Sequence, residues 1–210
     1  MTAEVVLAFA VFDPDGLPLT AAYLAALPQG LDSYPSCRVR TTVTRLIIDR
    51  FPHVLDHAGI DRTFVDRLRS SFEQGEWMPE TIATAVRALA RDTIFASDAE
   101  YNGWSFEAAK EVFARPVYRV LMYVLSPSIV VLGASRRWNA FREGTHLSAK
   151  PHAKGGDIEL KFPPNLFPAF VVGGFGEAFR ASLVAARAHG VRVDLQEVTA
   201  DRARWSIGWD

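Results

Sequence analysis

The sequence predicts an α+β fold, with a helical N-terminal part followed by a curved antiparallel sheet packed on a long late helix. Three observations predict it. Apolar residues recur at helical spacing through the first half, as in Phe64, Val65, Leu68 and Phe72. Thr145–Ala149 and Asp157–Phe162 alternate apolar and polar residues on either side of Gly155-Gly156, the pattern of a hairpin. The small-residue-rich stretch Ala169–Ala188 is then followed by two more strand-like runs, Val191–Val198 and Arg204–Trp209. The 210 residues suit one domain over 1–210, mainly helical across 1–103 and hairpin–helix–hairpin across 104–210.

Each element has a local reason. Val5–Phe12 is an uninterrupted apolar run that reads as a buried strand, closed by the turn Asp13-Pro-Asp-Gly16. A short helix over Thr20–Leu27 ends at Pro28. Ser36 is placed to cap a helix reaching Phe51, with Val39, Val43, Leu46 and Ile47 on one stripe. Asp61 opens the next helix and Gly75 stops it. Ile82, Val86, Leu89 and Ile94 give a further helix over Glu80–Phe95. Ser97–Gly103 is polar and reads as a loop. Ser105 then begins a long apolar helix to about Leu125, kinked at Pro116. Ser126-Pro127 breaks it, and Ile129–Trp138 reads as another helix. In the late helix, Phe170, Gly174 and Ala178, with Phe175, Phe179 and Ser182 one step round, form a stripe toward the sheet.

Composition excludes several classes of function. A makeup of 49% hydrophobic and 22% charged residues with a net charge of -1 is that of a globular chain, and it lacks the basic excess of a nucleic-acid binder. A single cysteine, Cys37, rules out an internal disulfide and a multi-thiolate zinc site. The longest uncharged run, Val120–Ser135, is 16 residues with a proline inside, too short to span a bilayer. Acidic Glu4 stands where a secretory signal carries basic residues, so the expectation is a cytoplasmic protein without a transmembrane segment. Charge is nonetheless uneven. Residues 1–35 hold Glu4, Asp13, Asp15 and Asp32 with no base, while residues 115–154 hold seven bases against Glu143, a net of +6.

The chemistry-bearing residues do not assemble a catalytic motif. His53 and His57 lie four apart, but the local sequence lacks the glutamate of a metalloprotease helix, and a solvated or capping pair is the simpler reading. Cys37 sits beside Arg38 and Arg40, which could lower its pKa, yet no histidine neighbours it in sequence. Gly173-Gly-Phe-Gly176 lacks phosphate-loop spacing and reads as close helix packing. Tyr34-Pro-Ser36-Cys-Arg38 matches the Tyr-x-Ser-x-Arg pattern that holds the haem propionates in haem nitric-oxide-binding domains. No histidine precedes Tyr34, however, where that family carries its axial ligand, so neither haem, any other cofactor nor a metal is expected.

Leu125-Ser-Pro127, Trp138, Phe162-Pro-Pro164, Phe170–Glu177 and Trp205–Trp209, with Val11-Phe12 and Leu27-Pro28 earlier, resemble a paralogous family of myxobacterial proteins of about this length. That family in turn resembles the haem nitric-oxide-binding superfamily, with the 4-vinyl reductase-like domains and the TRAPP vesicle-tethering subunits. The resemblance implies a helical N-terminal part, a curved antiparallel sheet and a long late helix. It also implies gas sensing, binding of small apolar ligands, or an assembly role, and brings no catalytic residues with it. The cysteines common in 4-vinyl reductase-like domains are missing from this C-terminal half.

The expectation is therefore a non-enzymatic sensor or small-ligand-binding module. Its apolar pocket would lie between the long helices and the sheet, lined by Tyr118, Met122, Trp138, Phe170 and Phe175. The alternative is a homodimeric protein-interaction scaffold without ligand.

Overall fold

The computed structural model describes residues 12–116 and 125–210, which fall into two compact units, Met1–Ala96 and Ser97–Asp210. The strand expected at Val5–Phe12 lies outside the described residues except for Phe12, which bridges Ile60 and stacks edge-on with Phe64 at 4.9 Å.

The first unit is built around one buried helix. Helices α1 (Pro18–Ala26), α2 (Thr41–Arg50) and α3 (Arg62–Glu73) surround α4 (Glu80–Thr93), in which every residue from Glu80 to Ala90 is buried. The single stripe expected of α4 is thus an underestimate: its alanines and threonines let neighbours close in on all sides. Asp92 of α4 caps α1 from outside, accepting from Leu19 N (3.1 Å), Thr20 N (2.9 Å) and Thr20 Oγ1 (2.8 Å). The two backbone N–H groups are orphans of a helix start whose N-cap, Leu17, has no side-chain oxygen to bond them. Asp61 caps α3 as expected, accepting from Thr63 N at 2.7 Å.

One expected helix start is corrected. Ser36 does not cap a helix. Arg38–Arg40 form β1, paired antiparallel with β2 (Trp77–Pro79) as Arg38↔Pro79, Val39↔Met78 and Arg40↔Trp77. Helix α2 begins only at Thr41, so the apolar stripe was right from there on. Val39 and Met78 are fully buried, and a three-residue strand of this kind is fixed by its distant partner rather than by local pattern.

The second unit begins where a loop was expected. Ser97 accepts from Glu100 N at 3.2 Å and caps α5 (Asp98–Ala114), with Asp98 and Glu100 in the favourable first turn. Ser105 lies inside that helix, its hydroxyl donating to Tyr101 O. Helix α5 ends at Ala114, and the expected continuation to Leu125 falls mostly outside the described residues. Two short helices follow, α6 (Pro127–Leu132), capped by Ser126, and α7 (Ala134–Phe141).

The sheet and late helix match the expected order. Strands β3 (His146–His152), β4 (Gly155–Lys161), β5 (Arg192–Val198) and β6 (Arg202–Gly208) form an antiparallel sheet in the order β3-β4-β6-β5. Helix α8 (Ala169–Ala185) connects the two hairpins and packs on the sheet. Leu147, Ile158, Leu160, Ala203, Trp205 and Ile207 alternate onto the covered face, with Ile158↔Trp205 and Leu160↔Ala203 as direct cross-strand pairs. The opposite face is charged and balanced: Glu197 meets Arg202 (2.7 Å) and Arg204 (3.6 Å), and His152 meets Asp157 (2.8 Å).

The glycines of α8 divide their work in a way the stripe did not foresee. A Cβ at Gly173 would lie 2.8 Å from Asn102 Nδ2, and one at Gly174 would lie 3.0 Å from Tyr101 Cε1 and 3.1 Å from Ser105 Oγ. Both therefore face α5. Gly176 is the glycine that meets the sheet, where a Cβ would lie 2.9 Å from Trp205 Nε1. The close-packing reading holds, but Gly174 serves a helix–helix contact and not the sheet.

Candidate functional site

Three of the five residues nominated as a pocket lining lie within the described residues. Trp138 of α7 and Phe175 of α8 come together, their rings 5.2 Å apart at 87°. Phe175 stacks edge-on with Phe167 at 5.0 Å, and Phe167 with Phe162 at 5.1 Å. Trp138 Nε1 donates to Thr145 Oγ1 at 2.8 Å, which satisfies its one polar atom. Phe170 is five residues before Phe175 and so points to a different side of α8, where it stacks on Tyr101 at 5.2 Å. All three are buried. Tyr118 and Met122 lie outside the described residues.

Arg142, at the end of α7, joins this cluster. It is 8% exposed, and its guanidinium carbon stands 4.5 Å from the Trp138 ring centre and 4.8 Å from that of Phe175. A cation on two aromatic faces away from water is worth about 2 kcal/mol, so this arginine braces the aromatic wall. Arg137 is used internally as well. Its Nη2 donates to Val130 O at the end of α6, and burial pushes its pKa down. Gly133 makes room for it, since a Cβ there would lie 2.8 Å from Arg137 Nη1. The basic excess of 115–154 is therefore partly structural, leaving Arg115, Arg136, Lys150 and Lys154 on the surface among the described residues.

An open depression of about 480 Å³ lies between the start of α6 and the end of α8. Leu125, Pro127 and Ala186 supply apolar lining, and Ser126, Arg187 and His189 supply polar groups. Its walls come from two segments about sixty residues apart in the chain, so local sequence patterns give no sign of it. Large apolar side chains are also exposed on the same two helices: Ile129 (49%) and Leu132 (64%) on α6, and Val184 (40%) on α8. The depression sets apolar side chains beside a guanidinium and an imidazole; it brings together no nucleophile, base and oxyanion donor.

The remaining candidates are placed as structural residues. His53 sits exposed in a single 3-10 turn (Pro52–Leu55), and His57 Nδ1 accepts from Gly59 N at 3.1 Å, so the pair never shares a helix face. Among the described residues, no group of three or more His, Cys, Asp or Glu side chains is placed to hold a metal. Cys37 is 1% exposed. Burial, followed by the nearby Glu80 carboxylate, pushes its thiol pKa up. This corrects the expectation that Arg38 and Arg40 lower it: Arg38 is exposed, with Nη2 donating to Trp77 O, and Arg40 pairs with Glu76.

No family model matches the chain, and no curated protein matches it. Among solved structures it is similar to several chains, some of them named as H-NOX. One, from work on modulating haem redox potential through porphyrin distortion, is 12% identical, with 80% of this chain and 92% of that chain covered at a TM-score of 0.49. A second, from work on haem distortion in the H-NOX family, is 12% identical, with 81% and 95% covered at a TM-score of 0.43. A point mutant of T. Tengcongensis H-NOX is 14% identical, with 81% and 96% covered at a TM-score of 0.40. Scores this low transfer neither a ligand nor a role to this chain.

The residues present here do not fit a histidine-ligated haem. All five histidines are described; His53, His146, His152 and His189 are exposed, and half-buried His57 is engaged with Gly59. An axial imidazole must stand inside an apolar pocket, and none of these does. Of the Tyr34, Ser36 and Arg38 side chains, Ser36 and Arg38 are exposed. Among the described residues no helix is long and apolar enough to cross a membrane.

Proposed function

We propose that the chain is a non-catalytic binding module for a small, largely apolar ligand. The observation that supports this reading is the open depression between α6 and α8, where apolar Leu125, Pro127 and Ala186 stand beside Arg187 and His189. Arg187 and His189 at the site favour a ligand with one anionic or hydrogen-bond-accepting end. Tyr118, Met122, Trp138, Phe170 and Phe175 are proposed as a second apolar lining, apart from this depression, which none of the described three lines. Trp138, Phe175 and Arg142 stack together there.

An amphipathic anionic fluorophore such as anilinonaphthalene sulfonate tests the site. Titration should give saturable enhancement that is lost in Arg187→Glu and in His189→Trp, both exposed positions whose replacement leaves the core alone. Enhancement that is non-saturable, or unchanged in both variants, rules out the depression as the site.

A second reading, a homodimeric interaction scaffold, is supported by the exposed Leu132, Ile129 and Val184. Sedimentation distinguishes it. A dimer that Leu132→Asp converts to monomer favours the scaffold, whereas a monomer at all concentrations favours the ligand module.

A further inference from the structure

The backbone is strained where α8 ends at the depression. Ala188 N donates to Leu183 O at 3.0 Å, and Arg187 N donates to Val184 O at 2.9 Å. With Ala186 as the C-cap, this nested pair of bonds ends the helix by turning the next residue into the left-handed region, where glycine is the usual occupant. Here that residue is Arg187, at a φ of 65°. Its Cβ crowds the backbone in this conformation, and arginine lacks the short polar side chain that lets asparagine offset the crowding locally. The same turn does use glycine three residues on. Gly190 stands at a φ of 57°, and a Cβ there would run into the Asp210 carboxylate. At 187 a long cationic side chain is kept despite the strain, and Arg187 lines the depression. Strained residues of this kind cluster at ligand clamps.

The surroundings narrow what that guanidinium can take. The described lining holds no carboxylate: Leu125, Pro127 and Ala186 are apolar, and Ser126 and His189 are its other polar members. The Asp210 carboxylate, beside Gly190, pairs with Arg192 at 3.6 Å. One guanidinium balances one negative charge, and its planar fork matches a carboxylate. A doubly charged group such as a phosphate monoester would set its second charge against the carbonyl end of α8, the negative end of the helix dipole.

Resting on the binding role proposed above, we infer that Arg187 is the specificity-determining residue of the depression and selects a monocarboxylate with a short apolar body. The strained turn holds the guanidinium at the site, and the apolar lining takes the rest of the ligand.

Calorimetric titration of the full chain with octanoate, octan-1-ol and octyl phosphate tests this. Arg187→Gly is the variant, because glycine suits the left-handed φ. The unmodified chain should bind octanoate about tenfold more tightly than octan-1-ol, the scale of one charge-assisted contact, and more tightly than octyl phosphate. Arg187→Gly should bind the acid and the alcohol alike, with a melting midpoint no lower than that of the unmodified chain. Equal binding of acid and alcohol before the substitution, or a preference that survives it, overturns the selection and leaves the depression as a site. Tighter binding of octyl phosphate overturns the ligand class. A lower midpoint in Arg187→Gly makes the arginine a brace for the helix end, which also overturns the inference. If none of the three probes binds, the depression itself falls, and the selection with it.

Discussion

Replacing glycines one at a time should separate the two faces of α8 and show which of them carries the sheet. At Gly176 an added Cβ would stand 2.9 Å from Trp205 Nε1, 3.2 Å from Trp205 Cδ1 and 3.7 Å from Val193 Cγ1. The Trp205 ring cannot swing away: it is 2% exposed, opposite Ile158 in the sheet, and stacked by Phe179 at 5.3 Å and 87°. Overpacking of this kind costs about 1–3 kcal/mol, while alanine in place of glycine returns about 1 kcal/mol of helix propensity. Gly176→Ala should therefore be neutral to about 2 kcal/mol destabilising, and Gly176→Leu clearly worse. Gly174→Leu should also destabilise, but by pressing on Tyr101 and Ser105 of α5. Gly103 on α5 is the control: it is exposed, nothing would lie within 4 Å of a Cβ there, and Gly103→Ala should stabilise by about 0.5–1 kcal/mol. Urea unfolding followed by tryptophan fluorescence measures all four. A Gly176→Leu variant with the wild-type midpoint would falsify the close approach of α8 to Trp205.

Three further outcomes follow from the same structure. Glu80→Gln or Arg87→Met alone should cost about 3–5 kcal/mol in thermal or urea unfolding, because each leaves a buried partner uncompensated; the double change Glu80→Leu with Arg87→Met should recover much of that loss. Asp61 has a carboxyl pKa below its ordinary 3.8 because the Thr63 backbone N–H, and then the Thr63 side chain, bond the ionised form. Its stabilisation is thus complete above 3.8 and lost as pH falls through the lowered folded value. Asp61→Ala should then lower the midpoint at neutral pH and leave it unchanged under strong acid, and an equal effect at both pH values would count against the cap. Cys37, buried and with its thiol pKa raised, should resist iodoacetamide at pH 8 in the folded protein and react only on unfolding; rapid labelling of the native chain would show that β1 opens readily.

The long elements were readable because local signals and tertiary packing agree in them. Asp61 ahead of an apolar stripe gives α3, and the alternation around Ile158 and Trp205 gives β4 and β6. Helix α8 stands within a few residues of its expected span. What could not be read was decided by distant contacts. Arg38–Arg40 form a strand because Trp77–Pro79 lies alongside, and the Cys37 pKa goes up, not down as Arg38 and Arg40 suggest, because burial and then Glu80 outweigh them. Ser97–Gly103 was missed for a different reason. Its polar composition hid a true start signal, a serine followed by acids in the first turn. The site fared likewise. Trp138 and Phe175 were nominated and do meet, while the α6–α8 depression joins residues near 125 and near 187 and leaves no local trace.

Native mass spectrometry of the protein purified from its own host tests the binding module most directly, because it reads ligand and oligomer in one spectrum. The proposed site predicts a monomer carrying one small-molecule adduct. That adduct should be lost under denaturing spray and absent in His189→Trp, and a solution of the same sample should show no haem Soret band. A bare polypeptide mass, whether monomer or dimer, or an adduct whose mass and Soret band are those of haem, would contradict it.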